Sequence, residues 1–145
     1  MIVYLDTSAL VKLYVAESKS AEVRKMIRKA DSVATSRVAY PEARSAFARR
    51  HREGALTPAG IRKAVSALDR DMDAYVIVEL QEHVARQAGL LAERHSLRGF
   101  DAIHLASALD LGLLAGRMPA FVTFDDRQAR AADEEGLKAF GASRR

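Results

Sequence analysis

Ile2-Val3-Tyr4-Leu5-Asp6-Thr7-Ser8-Ala9-Leu10 opens the chain with four apolar residues, an acid, and the start of an apolar-periodic helix. An apolar strand that ends in Asp and passes straight into a helix is the first half of a β-α unit. The same sentence is repeated near the other end of the chain, where Phe121-Val122-Thr123-Phe124 ends in Asp125 before another helical stretch. Working outward, the periodicity predicts strands at 2–5, 33–35, 75–78, 121–124 and 137–140, the last of them at an edge. Helices are expected between them. Ala9, Leu10, Leu13 and Tyr14 mark one face of a short first helix. Val23, Met26, Ile27 and Ala30 form the inward stripe of a second, with Ser18 or Ser20 as its cap. Further helices fit 38–51, 82–95, 100–111 and 127–135, and Thr57-Pro58 reads as an N-cap with proline at the first turn of a helix reaching Met72. Alternation of this kind implies a mainly parallel sheet with crossover helices, an α/β/α sandwich of Rossmann-like form. The organisation expected is one domain over 1–142 with a short basic tail at 143–145.

Composition narrows the function. The chain has 145 residues, 49% of them hydrophobic, and a formal net charge of +4. It is long enough for a substantial core. No apolar run approaches the ~20 residues that cross a bilayer, and no signal-like segment is expected at the start. The absence of cysteine excludes disulfides, thiolate metal sites and thiol nucleophiles. A cytoplasmic setting is the expectation. No H-E-x-x-H pattern occurs, which argues against a zinc hydrolase.

Chemistry is concentrated in four acids. Asp6 and Asp125 end strands. Glu42 follows Tyr40-Pro41 on a helix face shared with Ala39, Ala43 and Ala46, and Asp101 opens an apolar helix. Strand ends and the helix starts beside them share one rim of an open parallel sheet, where ligands bind. Singly, each acid has an ordinary reading as a cap or a first-turn acid. Together they need a counter-charge. Two carboxylates ~5 Å apart repel by roughly 3 kcal/mol at an effective dielectric of ~20, and six such pairs reach on the order of 15–20 kcal/mol. Either protons or hard divalent cations must relieve that, and oxygen-only ligands suit Mg²⁺ or Mn²⁺. His104, one turn beyond Asp101, is expected as a satisfied core or supporting residue, while His51, His83 and His95 read as solvated. Lys12, Arg37, Arg44 and Arg98 are the cations expected near the acids. Phe and Tyr fall mostly on core stripes, so no base-stacking platform is expected.

Four segments carry a resemblance. Val3-Tyr4-Leu5-Asp6-Thr7-Ser8-Ala9-Leu10, Tyr40-Pro41-Glu42, Asp101-Ala102-Ile103-His104-Leu105-Ala106-Ser107-Ala108 and Phe121-Val122-Thr123-Phe124-Asp125-Asp126-Arg127 occur in an order similar to that of PIN-domain proteins of the VapC type, the toxin ribonucleases of VapBC toxin–antitoxin pairs. The resemblance covers essentially the whole chain. It implies an Mg²⁺- or Mn²⁺-dependent endoribonuclease that hydrolyses RNA by metal-activated water, with a VapB-type antitoxin and a homodimer as partners. Asp6 and Asp101 would be the principal metal ligands, Glu42 and Asp125 would complete the site, and Thr7 and Thr123 would support the acids with hydroxyl hydrogen bonds. Asp126 is an alternative to Asp125 that the Thr-x-Asp spacing disfavours. Haloacid-dehalogenase and receiver-type sites need a further acid beside Asp6, where Thr7 and Ser8 stand instead. A catalytically silent RNA-binding or interaction module is the reading from a different class, and it predicts a missing acid.

Overall fold

The computed structural model describes residues 1–143, so the last two residues of the expected basic tail lie outside the described residues. Five strands form one sheet in the order β3-β2-β1-β4-β5, and every pairing is parallel. They are β1 (Ile2–Leu5), β2 (Ser32–Ser36), β3 (Val76–Val78), β4 (Ala120–Thr123) and β5 (Lys138–Gly141). The expected "mainly parallel" sheet is therefore wholly parallel. Helices α1 (Thr7–Val11), α2 (Ser20–Arg28), α3 (Ala39–Arg52) and α4 (Pro58–Met72) lead to β3. After it come α5 (Glu82–His95), α6 (Gly99–Ala115) and α7 (Asp126–Glu134).

Strand period divides the core in two. Val3 and Leu5 face a cluster with Leu10, Val23, Phe47 and Leu68, from α1 to α4. Ile2 and Tyr4 face the opposite cluster, with Val84, Leu91, Leu105 and Ala132 from α5 to α7. Side chains of successive strand residues alternate in this way, and both faces of a parallel sheet are covered. Tyr4 is fully buried and stacks on Phe121, with ring centroids 5.5 Å apart at 5°.

Connectivity places the site. From β1 the chain moves outward through β2 to β3, then crosses back through α5 and α6 to β4 on the other side of β1. The strand order thus reverses between β1 and β4. A crevice opens at the carboxyl ends of two such strands, because their following helices leave in opposite directions. Asp6 follows β1 and Asp125 stands just beyond β4, so both border this switch point.

Several local expectations need correction. Neither Ser18 nor Ser20 caps α2: Lys19 holds that position with φ 73°, and the Ser20 hydroxyl instead donates to the Val15 carbonyl and accepts from the Glu17 amide. Helix α6 continues past Leu111 to Ala115 and stops at Gly116, whose φ of 75° an L side chain rarely adopts. His95 is not solvated. Its side chain is 6% exposed and lies against Glu135, with Nε2–Oε2 at 2.6 Å, tying the ends of α5 and α7 together. No helix among the described residues is long and apolar enough to cross a membrane.

Candidate active site

Asp6 is held from three directions. It is the N-cap of α1, and its Oδ1 accepts from the Ala9 amide at 2.9 Å and from the Ser8 hydroxyl at 2.7 Å. Its Oδ2 accepts from the Thr123 hydroxyl at 2.6 Å, across the β1–β4 seam. One hydroxyl proton serves one short bond, so Thr123 cannot also donate to Gln128 at 3.2 Å. The Thr123 oxygen accepts from the Asp125 amide at 3.1 Å, which links the two strand-end acids through one side chain. Burial pushes the Asp6 carboxyl above the ordinary aspartate value, and the charge of His104 and the donors Thr123, Ser8 and Ala9 oppose that shift.

Glu42 has a different environment. On the first turn of α3 its Oε1 accepts from the Thr7 hydroxyl at 2.6 Å and lies 3.0 Å from His104 Nε2. A carboxylate only accepts, so the ring nitrogen facing it carries a proton. Burial acts to raise the Glu42 carboxyl, but the hydrogen bonds from His104 and Thr7, with the imidazole charge, outweigh it and hold the group below the ordinary glutamate value. Nδ1 of His104 lies 2.8 Å from the Tyr4 hydroxyl. His104 is 1% exposed, the supporting residue expected, and a chain from Tyr4 through His104 fixes Glu42 in its ionised form.

Asp101 sits half-buried on the first turn of α6, where burial raises its carboxyl and the charges of Asp125 and Asp6 raise it further. His104 and Arg98 act in the opposite direction. Asp125 is the N-cap of α7 and accepts from the Gln128 amide at 2.8 Å. The charge of Asp125 bears on Asp101. Buried Gln128 donates through Nε2 to the Asp101 carbonyl at 3.0 Å, joining α7 to α6. The structure thus brings Asp6, Asp101 and Asp125 into one electrostatic site, with Glu42 beside it but turned toward Thr7 and His104.

The donor set is all oxygen, suited to a hard divalent cation. Asp101 shows the signature of uncompensated like charge, since the charges of Asp125 and Asp6 add to burial in raising its carboxyl. In that chemical sense the residues fit Mg²⁺ or Mn²⁺. Among the described residues, however, no group of three or more acids or histidines stands already arranged to hold a metal ion.

Three clefts adjoin the acids. The largest, about 700 Å³, is lined by Ser8, Lys12, Glu42, Arg49, Arg50 and Phe100 among others. A second, about 440 Å³, takes in Glu42, Arg98, Gly99, Phe100, Asp101 and Ile103. A third of similar size includes Arg98, Asp101, Asp125 and Arg127. Of the four expected cations, Arg98 lines all three clefts and Lys12 lines the first. Lys12 is partly committed, with Nζ 3.2 Å from Glu17 and 4.6 Å above the Phe124 ring. Arg37 is bound to Glu79 instead, and Arg44 donates to the Tyr40 hydroxyl on a separate face. Sequence reasoning missed Ser8, Gln128, Arg49 and Arg50, and it assigned no role to Phe100, which is 53% exposed. One signal was present: Asp125-x-x-Gln128 has the spacing of a capping box.

Residues 3–134 match the PIN-domain family. The chain is 41% identical over 111 residues to a protein of Mycobacterium tuberculosis named ribonuclease VapC45, covering 77% of each chain. It is 35% identical over 147 residues to ribonuclease VapC46 of the same organism, covering 97% of this chain and 98% of that one. Among solved structures, M. tuberculosis VapC20, described as a sarcin–ricin-loop-cleaving toxin, superposes with a TM-score of 0.68 at 20% identity, covering 90% of this chain and 95% of that one. VapBC2 of Rickettsia felis, bound to a promoter DNA fragment, gives a TM-score of 0.64 at 14% identity, with coverage of 97% and 98%.

Proposed function

The chain belongs to the PIN-domain family, and from that premise we propose that it is a metal-dependent endoribonuclease, the toxin of a VapBC-type pair. The observation that carries the reading is the convergence of Asp6, Asp101 and Asp125 at the β1–β4 switch point, where Asp101 is raised by the charges of the other two. Asp6 and Asp101 would hold Mg²⁺ or Mn²⁺, with Asp125 and Glu42 completing the set. When bound, the ion supplies Lewis-acid polarisation of a phosphodiester and a more acidic water.

The chain's own residues do the rest. Ser8, Thr123 and the Ala9 amide lock the Asp6 carboxylate in one orientation. Such preorganisation matters because a misplaced acid loses most of its effect. Thr7 and His104 keep Glu42 ionised at neutral pH. Arg98, at the junction of the three clefts, is placed to take a phosphate oxygen of the RNA strand. Hydrolysis breaks the P–O3′ bond and leaves 5′-phosphate and 3′-hydroxyl ends.

A VapB-type antitoxin is the proposed protein partner, in keeping with solved structural neighbours described as VapBC proteins. A homodimer is also part of the proposal. Leu10, Val11 and Val23 on α1 and α2 are buried within the chain's own core, whereas Leu113 and Leu114 at the end of α6 are 72% and 81% exposed.

Purified, antitoxin-free protein incubated with total RNA in Mg²⁺, Mn²⁺ or EDTA tests the assignment. Discrete cuts are expected that need metal and fall by about a hundredfold or more in Asp6→Asn. Equal cleavage in EDTA would sink the metal role, and the absence of cleavage under any metal would sink the nuclease.

A further inference from the structure

Phe100 lies on the first turn of α6, a helix whose middle is buried, yet it is 53% exposed. A single exposed apolar side chain carries no message by itself; the surroundings of this one do. It precedes Asp101 directly and lines both clefts that contain Glu42. Arg98 lines the same two clefts, and Lys12, Arg49 and Arg50 are on the wall of the larger. Glu17 takes up Lys12 and Arg50. Arg98 and Arg49 are exposed, Arg49 with only a 3.9 Å contact to Glu53. Gly99, next to Phe100, is exposed as well, and apart from its chain neighbours nothing lies within 4 Å of the point where a Cβ on it would stand.

An exposed aromatic side chain that shares its cleft with exposed arginines, at the edge of a carboxylate site, matches a strand whose every unit has a planar base and a phosphate. We infer that Phe100 is a stacking platform for the base of a nucleotide next to the scissile phosphate of single-stranded RNA, with Arg98 and Arg49 on the neighbouring phosphates. The inference rests on the nuclease reading above and adds a specificity-determining residue to it. Stacking on a ring tolerates any base but strengthens with the size of its π-face. The platform therefore favours a purine at that position. The first turn of α6 then has two tasks in adjacent residues: Asp101 for the reacting phosphate, Phe100 for the base beside it.

The test measures RNA binding and cleavage separately. Binding of fluorescein-labelled single-stranded RNA is followed by anisotropy in EDTA, using wild type, Phe100→Ala, Phe100→Leu and Phe100→Trp. Cleavage in Mn²⁺ uses RNAs with a purine, a pyrimidine or an abasic unit at each nucleotide flanking the cut. Phe100→Ala is expected to weaken binding by about tenfold and to act on KM more than on kcat. Phe100→Trp should retain affinity and Phe100→Leu should not. The purine preference should vanish in Phe100→Ala, and wild type and Phe100→Ala should converge on the abasic RNA. Equal binding by wild type and Phe100→Ala, or full rescue by leucine, overturns the platform. So does a Phe100→Ala variant that keeps RNA affinity but loses its antitoxin. If wild type binds RNA through Phe100 but cuts none, the nuclease reading fails and the platform stands.

Discussion

Asp101 carries a poorly supported charge, since burial opposes its ionisation and the charges of Asp125 and Asp6 oppose it further. Its folded pKa lies above the unfolded value near 3.9. The folded state therefore binds a proton more tightly, and the resulting destabilisation is absent below ~3.9, grows as pH rises through the folded pKa, and is complete above it. Asp101→Asn should raise the melting temperature of the metal-free protein at pH 7 by roughly 3 °C, a gain that disappears near pH 3. Differential scanning fluorimetry in EDTA across that range checks it; a lowered melting temperature at pH 7 would mean that the carboxylate chiefly supports the start of α6. Glu42 has the opposite sign. Its folded pKa is depressed, so the stability it contributes is present above the unfolded value and is lost as pH falls through the folded one. The positions of the four acids at strand ends and helix starts were legible because those boundaries announce themselves. Their partners were not. Tyr4 reads as an ordinary strand residue, and nothing local says that its hydroxyl meets a ring 100 positions away.

At the level of elements, β4 and β5 end on a close approach. Gly141 has φ 104°, and a Cβ there would stand 2.5 Å from the Thr123 carbonyl oxygen. Gly141→Ala should lower unfolding free energy by about 2 kcal/mol, from backbone strain plus the clash. A urea titration should show a lower midpoint with an unchanged slope; an unaltered midpoint would mean that the strand end yields freely. Element boundaries were readable where local chemistry sets them. Thr57 accepts from the Gly60 amide ahead of Pro58, and α5 begins at Glu82 and ends at His95 as its periodicity implies. They were misread where tertiary contacts decide. Ser20 is drawn to the Val15 carbonyl instead of capping α2, and α6 runs on to Gly116 beyond its last strongly apolar stripe. Phe100, one residue ahead of Asp101 on the first turn of α6, is exposed, an exception to the core stripes on which Phe and Tyr mostly fall.

Over the whole molecule, the order of strands is what periodicity cannot supply, because the pattern of a buried strand does not name its neighbour. The reversal between β1 and β4 is a property of the assembled sheet, and the acids become a site only there. Linkage gives that site a global readout. Mn²⁺ at a hundredfold excess over its dissociation constant should stabilise the folded chain by about 2.7 kcal/mol. The same addition should leave an Asp6→Asn, Asp101→Asn double variant unmoved, and an equal response from both proteins would place the cation elsewhere. The bond between Thr123 and Asp6 spans 117 positions of the chain. At roughly 5–20 residues per second, translation needs on the order of ten seconds to cover that distance. Throughout that interval the emerging polypeptide holds its first acid without the hydroxyl that orients it, and without the strand that closes the crevice. A product released before β4 is made would lack β4 and β5, and with them the site, so the ability to cut is conferred only once β4 has been synthesised.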